Sequence, residues 1–414
     1  MASACEQQKE QTATKEEAAP APALQITGKT SLFPANWQVN GQAMVFSGAG
    51  AEDNLFQSHP LEPQLQALQE NGSNFVRLAL SSRDVANQYP FVQQNDARYD
   101  LNNWSENYWK RVDRFLAETA SQGMLVQLEI WAVLDFYNVH NAWAKNPFNP
   151  RNNVNYTAEE SDLPEEVNFL PNQQLNAFFL SVPALRHNTV LLKWQQQFVE
   201  KALETALPYS HVLYCINSQG QFLPEWCAYW ASFIKEKAAA AGKEVFTGTS
   251  VNTLQLRNDR TATADTTHVL AAVASLQPAT GNKGQPLDFI NFSEHNSLKG
   301  EAHYRAALEL KRQLQQWPAP PPALHSTDIY GGELQEDWAG TMEDAPERFW
   351  QNIFAGMAAV RFQASPAGLG NSKLAAVQVQ SLGLLQQMAP LHSFVPANQL
   401  LQQREAAESF CMAD

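Results

Sequence analysis

Short apolar stretches alternate with amphipathic stretches along most of this chain. The apolar stretches read as strands, and they lie at 42–48, 74–80, 125–131, 212–217, 245–250, 288–293, 324–330 and 359–364. Between them, segments such as ENYWKRVDRFLAETASQG and PERFWQNIFAGMAA carry apolar residues at spacings of three and four, which predicts helices. This sustained alternation predicts an α/β protein, a (β/α)8 TIM barrel over residues 26–390.

The longest connection follows the third strand and spans residues 132–188. Loops of this length are usually functional or disordered, and the many aromatic residues of this one argue against disorder. In a barrel, the loop would stand over the carboxyl ends of the strands, where active sites form. We therefore expect a long, ordered loop beside the functional site.

The alternation of side chains along each strand separates residues that face the barrel lumen from those that face the helices. On the third strand, Val126, Leu128 and Ile130 form an apolar outward set, so Glu129 and Trp131 point inward. On the seventh strand, Ser326, Asp328 and Tyr330 share the inward face. The same reasoning gives the inward set as Arg77, Glu129, Trp131, Asn217, Gln219, His295, Asp328, Tyr330 and Arg361.

A lumen with this many polar side chains is unusual, because barrel interiors are commonly filled by branched apolar residues. One interpretation is that the lumen binds a polar ligand at its carboxyl end. The alternative is that Glu129 and Arg77, on neighbouring strands, form a buried ion pair that satisfies both charges and performs no chemistry.

Composition narrows the classes of partner. The formal net charge of -14 opposes binding to nucleic acids and to anionic membranes. His295, His303 and His325 lack the spacing of a zinc site, and the glycine-bearing turns lack the context of a phosphate loop. We therefore expect no metal, no cofactor and no nucleic-acid partner.

The two ends of the chain differ from the barrel in composition. MASAC is similar to the end of a lipoprotein signal, with Cys5 as the lipidated residue, and the polar run after it suits a tether over residues 1–25. This interpretation predicts a cell-envelope or secreted protein, held to a membrane only through an N-terminal lipid. The alternative is a disordered cytosolic N-terminus. Residues 391–414 show no strong period and suit a packed tail or the stub of a further domain.

Several segments carry a family resemblance, among them NFVRLALSSRD, NPFNPRNNVNY, VLYCIN, EWCAYWASFIKEKAAAAGKEV and ERFWQNIFAGMAAVRFQASPAGLG. From about residue 30 to residue 405, the chain resembles secreted bacterial (β/α)8 glycoside-hydrolase-like proteins of the retaining group. The resemblance implies a saccharide cleft across the barrel mouth. It also implies an Asn-Glu pair at the end of strand four, with Glu as acid/base, and a second Glu at the end of strand seven as nucleophile.

This chain departs from that pattern at both strands. Ser218 follows Asn217 where the acid/base Glu is expected, and strand seven offers only Asp328. Many relatives also continue into a small β-sandwich, which makes the C-terminal tail a candidate stub of that domain.

Hydrolysis of a glycosidic bond normally needs two carboxyl groups. The best-supported pair here is Glu129 with Asp328, and Glu294 is the reserve candidate because a bulge could turn it inward. Two hypotheses follow, a glycoside hydrolase acting on an oligo- or polysaccharide and a non-catalytic saccharide-binding descendant. Two carboxyl groups about 5 to 9.5 Å apart would favour the first, and carboxylates held by arginine would favour the second.

Aromatic residues supply a second indication of a saccharide cleft, because sugar C–H faces pack on aromatic planes. Trp131, Trp143 and Tyr330 are candidate platforms, and Asp135, in the loop after strand three, is a further candidate ligand-binding residue. The alternative is that many of these aromatic residues simply hold the long loop onto the barrel. The asparagines of the loop likewise suit either sugar binding or turn formation.

Overall fold

The computed structural model describes residues 24–30, 35–171, 173–218, 223–251, 275, 287–292, 298–317, 321–331, 340–364, 369–404 and 409–413. Four residues proposed from the sequence lie outside these ranges, namely Cys5, Gln219, Glu294 and His295.

Eight parallel strands form a nearly closed barrel, which confirms the predicted TIM-barrel fold. In chain order they are β1 Phe46–Gly48, β2 Phe75–Ala79, β3 Leu125–Trp131, β4 Val212–Asn217, β5 Thr247–Val251, β6 Phe289–Phe292, β7 Ala323–Ile329 and β8 Ala359–Phe362. From β2 to β8 each strand pairs in parallel with the next one along the chain, and β8 pairs with β1, so that the hydrogen-bonded ladder is open only between β1 and β2. All eight strands predicted from the sequence are present. The carboxyl ends of these strands therefore meet at one face.

Helices surround the barrel and cover the outward residues of the strands. They are α1 Glu62–Glu70, α2 Glu106–Ser121, α3 Ala158–Ser161, α4 Thr189–Ala206, α5 Pro224–Ala240, α6 Gly300–Leu314, α7 Asp344–Phe354 and α8 Lys373–Met388. Side-chain caps fix several starts, as where Ser105 accepts a hydrogen bond from Tyr108 N before α2. The predicted outward residues Val126, Leu128 and Ile130 are buried in the apolar layer beneath the helices. Among the described residues, no helix is long and apolar enough to cross a membrane.

Short elements complete the chain. The 3-10 helices are Leu55–Gln57, Val133–Phe136, Trp143–Lys145, Pro150–Asn152, Ala177–Leu180, Leu391–Ser393 and Asn398–Leu400. A hairpin between β2 and α2 pairs Phe91–Gln93 with Tyr99–Trp104. Near the C-terminus, Val395–Pro396 pairs with Met412–Ala413.

A small antiparallel sheet of Ile26–Lys29, Trp37–Val39 and Gln42–Met44 packs against the amino end of the barrel. The predicted first strand, 42–48, is thus divided between this sheet and β1. Trp37 is fully buried and contacts Phe246, Phe289 and His325 edge to face. An apolar plug therefore fills the lower lumen, and the polar lumen residues lie above it.

The long loop after β3 is ordered by its own core. Its aromatic side chains are buried against one another, and they are Phe136, Tyr137, Trp143, Phe148, Tyr156, Phe178 and Phe179. Asparagine amides of the loop donate to backbone carbonyls, as Asn146 does to Asp135 and Asn176 does to Phe136. Both observations favour the interpretation that these residues hold the loop in place.

Candidate functional site

The centre of the lumen is occupied by an ion pair between Arg77 on β2 and Glu129 on β3. Arg77 Nε lies 2.7 Å from Glu129 Oε1, and Arg77 Nη2 donates to Oε2 at 2.9 Å. Glu129 is 0% exposed. The buried ion pair between Arg77 and Glu129, which the sequence suggested as the alternative to a ligand-binding lumen, is therefore present.

Arg77 also binds the second candidate acid. Its Nη1 donates to Oδ1 of Asp328, which is likewise 0% exposed. Arg361 lies 3.9 Å from the same carboxylate oxygen and 3.4 Å from Asp53, and Asp53 in turn lies 3.5 Å from Arg77. We call these five residues the arginine–carboxylate cluster. It carries two positive and three acidic groups, so each carboxylate faces at least one guanidinium.

The electrostatics of the cluster follow from burial and pairing. Burial raises the pKa of Glu129 to about 7, although Arg77 acts in the opposite direction. Burial also opposes ionisation of Asp53, but Arg77 and Arg361 outweigh it and hold its pKa below the ordinary value. Burial disfavours the charge on Arg77, yet Asp328, Asp53 and Glu129 raise its pKa above the usual range. With Glu129 protonated, the formal charges of the cluster sum to zero.

A chain of hydrogen bonds connects this cluster to the plug at the amino end. Trp37 Nε1 lies 2.7 Å from His325 Nε2, and His325 Nδ1 lies 2.9 Å from Gln127 Oε1. Since the indole can only donate, His325 accepts at Nε2 and donates from Nδ1, so it is neutral. Gln127 Nε2 then donates to Glu129 Oε1 at 3.0 Å. Both oxygens of Glu129 are therefore occupied by hydrogen bonds.

A bulge near the end of β7 places Asp328 in the lumen. The pairing of β7 with β8 shifts between Ser326 and Ile329, with one extra residue on β7. As a result, Thr327 and Asp328 both face inward, where Thr327 binds Asn291 and Asp328 binds Arg77. The predicted inward orientation of Ser326 is wrong, since its hydroxyl accepts from Asn352 on α7.

The end of β4 is a structural junction. Asn217 Oδ1 accepts a hydrogen bond from Trp226 Nε1 on α5 at 3.0 Å. The hydroxyl of Ser218, at the position of the expected acid, accepts from the backbone N–H of Val133 at 3.0 Å. Ser218 thus fixes the start of the long loop.

Two tryptophans proposed as sugar platforms are buried. Trp131 is 1% exposed and packs against Phe198 on α4 and Trp230 on α5, so its predicted inward orientation is wrong. The large indole is buried among other aromatic rings there, whereas the lumen beside it is polar. Trp143 is also buried and donates to the carbonyl of Pro164. Tyr330, by contrast, is half-buried directly after β7.

Asp135 lies in the loop after β3, outside the arginine–carboxylate cluster. It accepts hydrogen bonds from the Ser81 hydroxyl and the Ser82 N–H, both at 2.8 Å, and lies 3.3 Å from Arg83. Burial nevertheless raises its pKa above the ordinary value. These contacts join the β2 and β3 loops at the barrel mouth.

Strand alternation correctly placed Arg77, Glu129 and Arg361 in the lumen. Asp328 lies in the lumen as predicted, but the bulge in β7 places it there rather than alternation from Ser326. Strand alternation missed Asp53, which follows β1 and reaches the cluster from a loop. The only indication in the sequence is the acidic pair in GAGAED directly after the first strand. Within the described ranges, no group of three or more His, Cys, Asp or Glu residues is arranged to hold a metal ion.

This eight-stranded barrel with its polar lumen has the fold of glycoside hydrolase family 5 structures. An endo-1,4-beta-mannanase from Rhizomucor miehei matches with a TM-score of 0.58 at 10% identity, over 88% of this chain and 99% of the other. A family 5 mannosidase from the same organism gives 0.54 at 10% identity, over 89% and 99%. A beta-mannanase from the blue mussel Mytilus edulis gives 0.50 at 11% identity, over 88% and 96%.

These similarities, at such low identity, show the fold alone. No protein-family model matches the chain, and no curated protein matches it in sequence.

Proposed function

We propose that this protein binds an oligo- or polysaccharide at the carboxyl-terminal face of the barrel and does not cleave it through Glu129 and Asp328. The polar upper lumen and the similarity in fold to mannanases support a carbohydrate ligand. One similar structure contains a family 5 mannosidase bound to mannosyl-fructose. Half-buried Tyr330, at the end of β7, is the candidate aromatic contact for the ligand.

The observation that carries the proposal is that one side chain, Arg77, binds both candidate acids, Glu129 and Asp328. A general acid must reach the leaving oxygen, and a nucleophile must reach the anomeric carbon. Glu129 is fully buried with both oxygens hydrogen-bonded, and Asp328 is fully buried against the same guanidinium. Carboxyl groups held in this way contact protein groups inside the barrel instead of a reacting sugar.

One observation favours hydrolysis as the second candidate function. The pKa of Glu129, raised to about 7, suits a general acid at neutral pH. Burial produces this shift, however, and the same burial separates the carboxyl group from the barrel mouth. Ser218 cannot supply the missing proton, because a seryl hydroxyl does not act as an acid at this pH.

The test compares binding with turnover on one preparation. Purified protein is mixed with β-1,4-mannan, cellulose and xylan, and both affinity and the release of reducing ends are measured. We expect binding without release. Release that is lost in Glu129→Gln or Asp328→Asn would overturn the proposal and establish those acids as catalytic. Failure to bind any glycan would overturn the saccharide ligand itself.

The location of the protein is a separate proposal that rests on the first residues. A lipid on Cys5 would hold the barrel at a membrane of the cell envelope. Recovery of the intact chain in the membrane fraction, and its release by Cys5→Ala, would support this. Equal recovery of both forms in the soluble fraction would contradict it.

A further inference from the structure

A groove of about 450 Å³ lies on the outer wall of the barrel, between the β2–α2 hairpin and helix α4. We call it the hairpin groove, and its polar and aromatic lining consists of Asn102, Trp104, Gln197, Glu200, Lys201 and Glu204. None of these residues belongs to the arginine–carboxylate cluster. Its volume lies in the range of ligand sites, about 300 to 1,000 Å³.

Trp104 gives the groove a fixed aromatic wall. Its ring stacks on Phe91 at 4.9 Å between centroids, and Trp109 meets it edge-on at 5.8 Å. Phe91 and Trp109 are buried, whereas Trp104 remains half-buried at the groove. An indole held in this way loses little conformational freedom on binding, and its ring suits the apolar face of a sugar.

The polar wall on α4 is nearly balanced in charge. Glu200 lies 2.5 Å from Lys237, and Glu204 lies 2.9 Å from Lys201. Each carboxylate keeps lone pairs that can accept hydrogen bonds from hydroxyl groups. Because both acids are already paired with lysines, the wall favours a neutral ligand over a charged one.

Gln197 adds an unsatisfied acceptor to this wall. Within the described part of the chain, its Oε1 is buried and accepts no hydrogen bond. A rotation of the amide toward the groove would let this oxygen accept from a ligand hydroxyl. A ligand would thus supply the hydrogen bond that this oxygen lacks in the unliganded protein.

We propose that the hairpin groove is a second saccharide-binding site, outside the barrel mouth, for one or two neutral sugar units. The class of ligand rests on the proposed function, whereas the position of the site rests on the groove itself. A protein with both sites would hold a long glycan at two points, which increases its apparent affinity for polymers over short oligosaccharides.

Calorimetric titration of the purified full-length chain with β-1,4-mannohexaose, cellohexaose and xylohexaose tests this. We expect two sites for one of these sugars. Trp104→Ala and Gln197→Ala should each weaken one of the two sites about tenfold and leave the other unchanged. Trp350→Ala is the matched control, since Trp350 is a half-buried tryptophan on α7, away from the groove. Circular dichroism checks that each variant is folded. Gln197→Ala leaves the stacked Trp104 ring in place, so it tests the groove without disturbing that packing.

The outcomes separate the two proposals. A single site unchanged in both groove variants overturns the second site and leaves the proposed function intact. A single site lost in both groove variants supports the groove and overturns binding at the barrel mouth. No binding of any of the three sugars overturns both.

Discussion

Arg77 and Glu129 form a two-point ion pair, with Nε 2.7 Å from Oε1 and Nη2 2.9 Å from Oε2. The two side chains come from strands that pair in parallel. Only the planar guanidinium matches a carboxylate in this way, and the pair is fully shielded from water. The pair therefore occupies the centre of the lumen and leaves neither charged group exposed at the barrel mouth.

Removal of Arg77 should strongly destabilise the protein. Arg77→Ala removes the guanidinium that Glu129, Asp328 and Asp53 share, and an uncompensated buried charge costs about 3 to 5 kcal/mol. Urea unfolding measures the loss. Arg98→Ala, which breaks an exposed pair with Asp96, should leave the midpoint unchanged. Equal effects of the two substitutions would contradict a structural role for the cluster.

Neutral His325 should make the protein sensitive to acid. Burial lowers its pKa to about 3, below the ordinary value of 6.5. Its contribution to stability is therefore fully present above pH 6.5 and is lost as the pH falls toward 3, by about 1.4 kcal/mol per unit. We expect the free energy of unfolding to fall less steeply between pH 6 and pH 4 in His325→Gln. His392→Gln serves as control, and identical slopes in all three proteins would refute the assignment.

Glu129 should make the protein less stable as the pH rises, which is the opposite of the effect of His325. Because burial raises its pKa from 4.5 to about 7, its contribution to stability is present below pH 4.5 and is lost as the pH rises through 7. The stability of Glu129→Gln relative to the wild type should therefore improve between pH 5 and pH 8. Unfolding in urea across this range measures the difference. A difference that does not change with pH would show that Glu129 is ionised throughout.

Ser218→Glu tests whether a carboxyl group at the end of β4 gives this protein hydrolytic activity. The substitution removes the acceptor of the Val133 N–H, so we expect a loss of about 1 to 3 kcal/mol in unfolding free energy. Ser218→Ala should show a similar loss. Neither variant should release reducing ends from β-mannan, because Asp328 stays bound to Arg77. Hydrolysis by Ser218→Glu would show that Asp328 still works as a nucleophile.

Gly248 on β5 should tolerate no side chain. A Cβ atom there would lie 2.5 Å from the Phe289 ring and backbone on the paired strand β6. Gly248→Ala should therefore cost about 3 kcal/mol through overpacking. Gly383→Ala is the matched control, since Gly383 lies in α8 and a Cβ atom added there would have no neighbour within 4 Å. Alanine at this position should stabilise the protein by about 0.5 to 1 kcal/mol. Thermal unfolding measures both, and a neutral Gly248→Ala would contradict the packing.

The sequence by itself determined the eight strands, the order of the barrel and the inward position of Arg77, Glu129 and Arg361. These features depend on the two-residue period of a strand and on the separation of apolar from polar side chains. Both are local properties, so they can be read without knowing which distant residues meet. The long loop after β3 was also evident from its length alone.

Only the tertiary structure decided which partners those residues have. Arg77 and Asp328 are 251 positions apart, and they meet because the barrel closes and a bulge turns Asp328 inward. Trp131 does not point into the lumen as expected, because its ring packs among aromatic rings of α4, α5 and the long loop. Asp53 acquires its role through contacts with Arg77 and Arg361 on two strands, and Ser218 through its contact with the loop after β3. Such contacts depend on packing between distant segments, which no local period encodes.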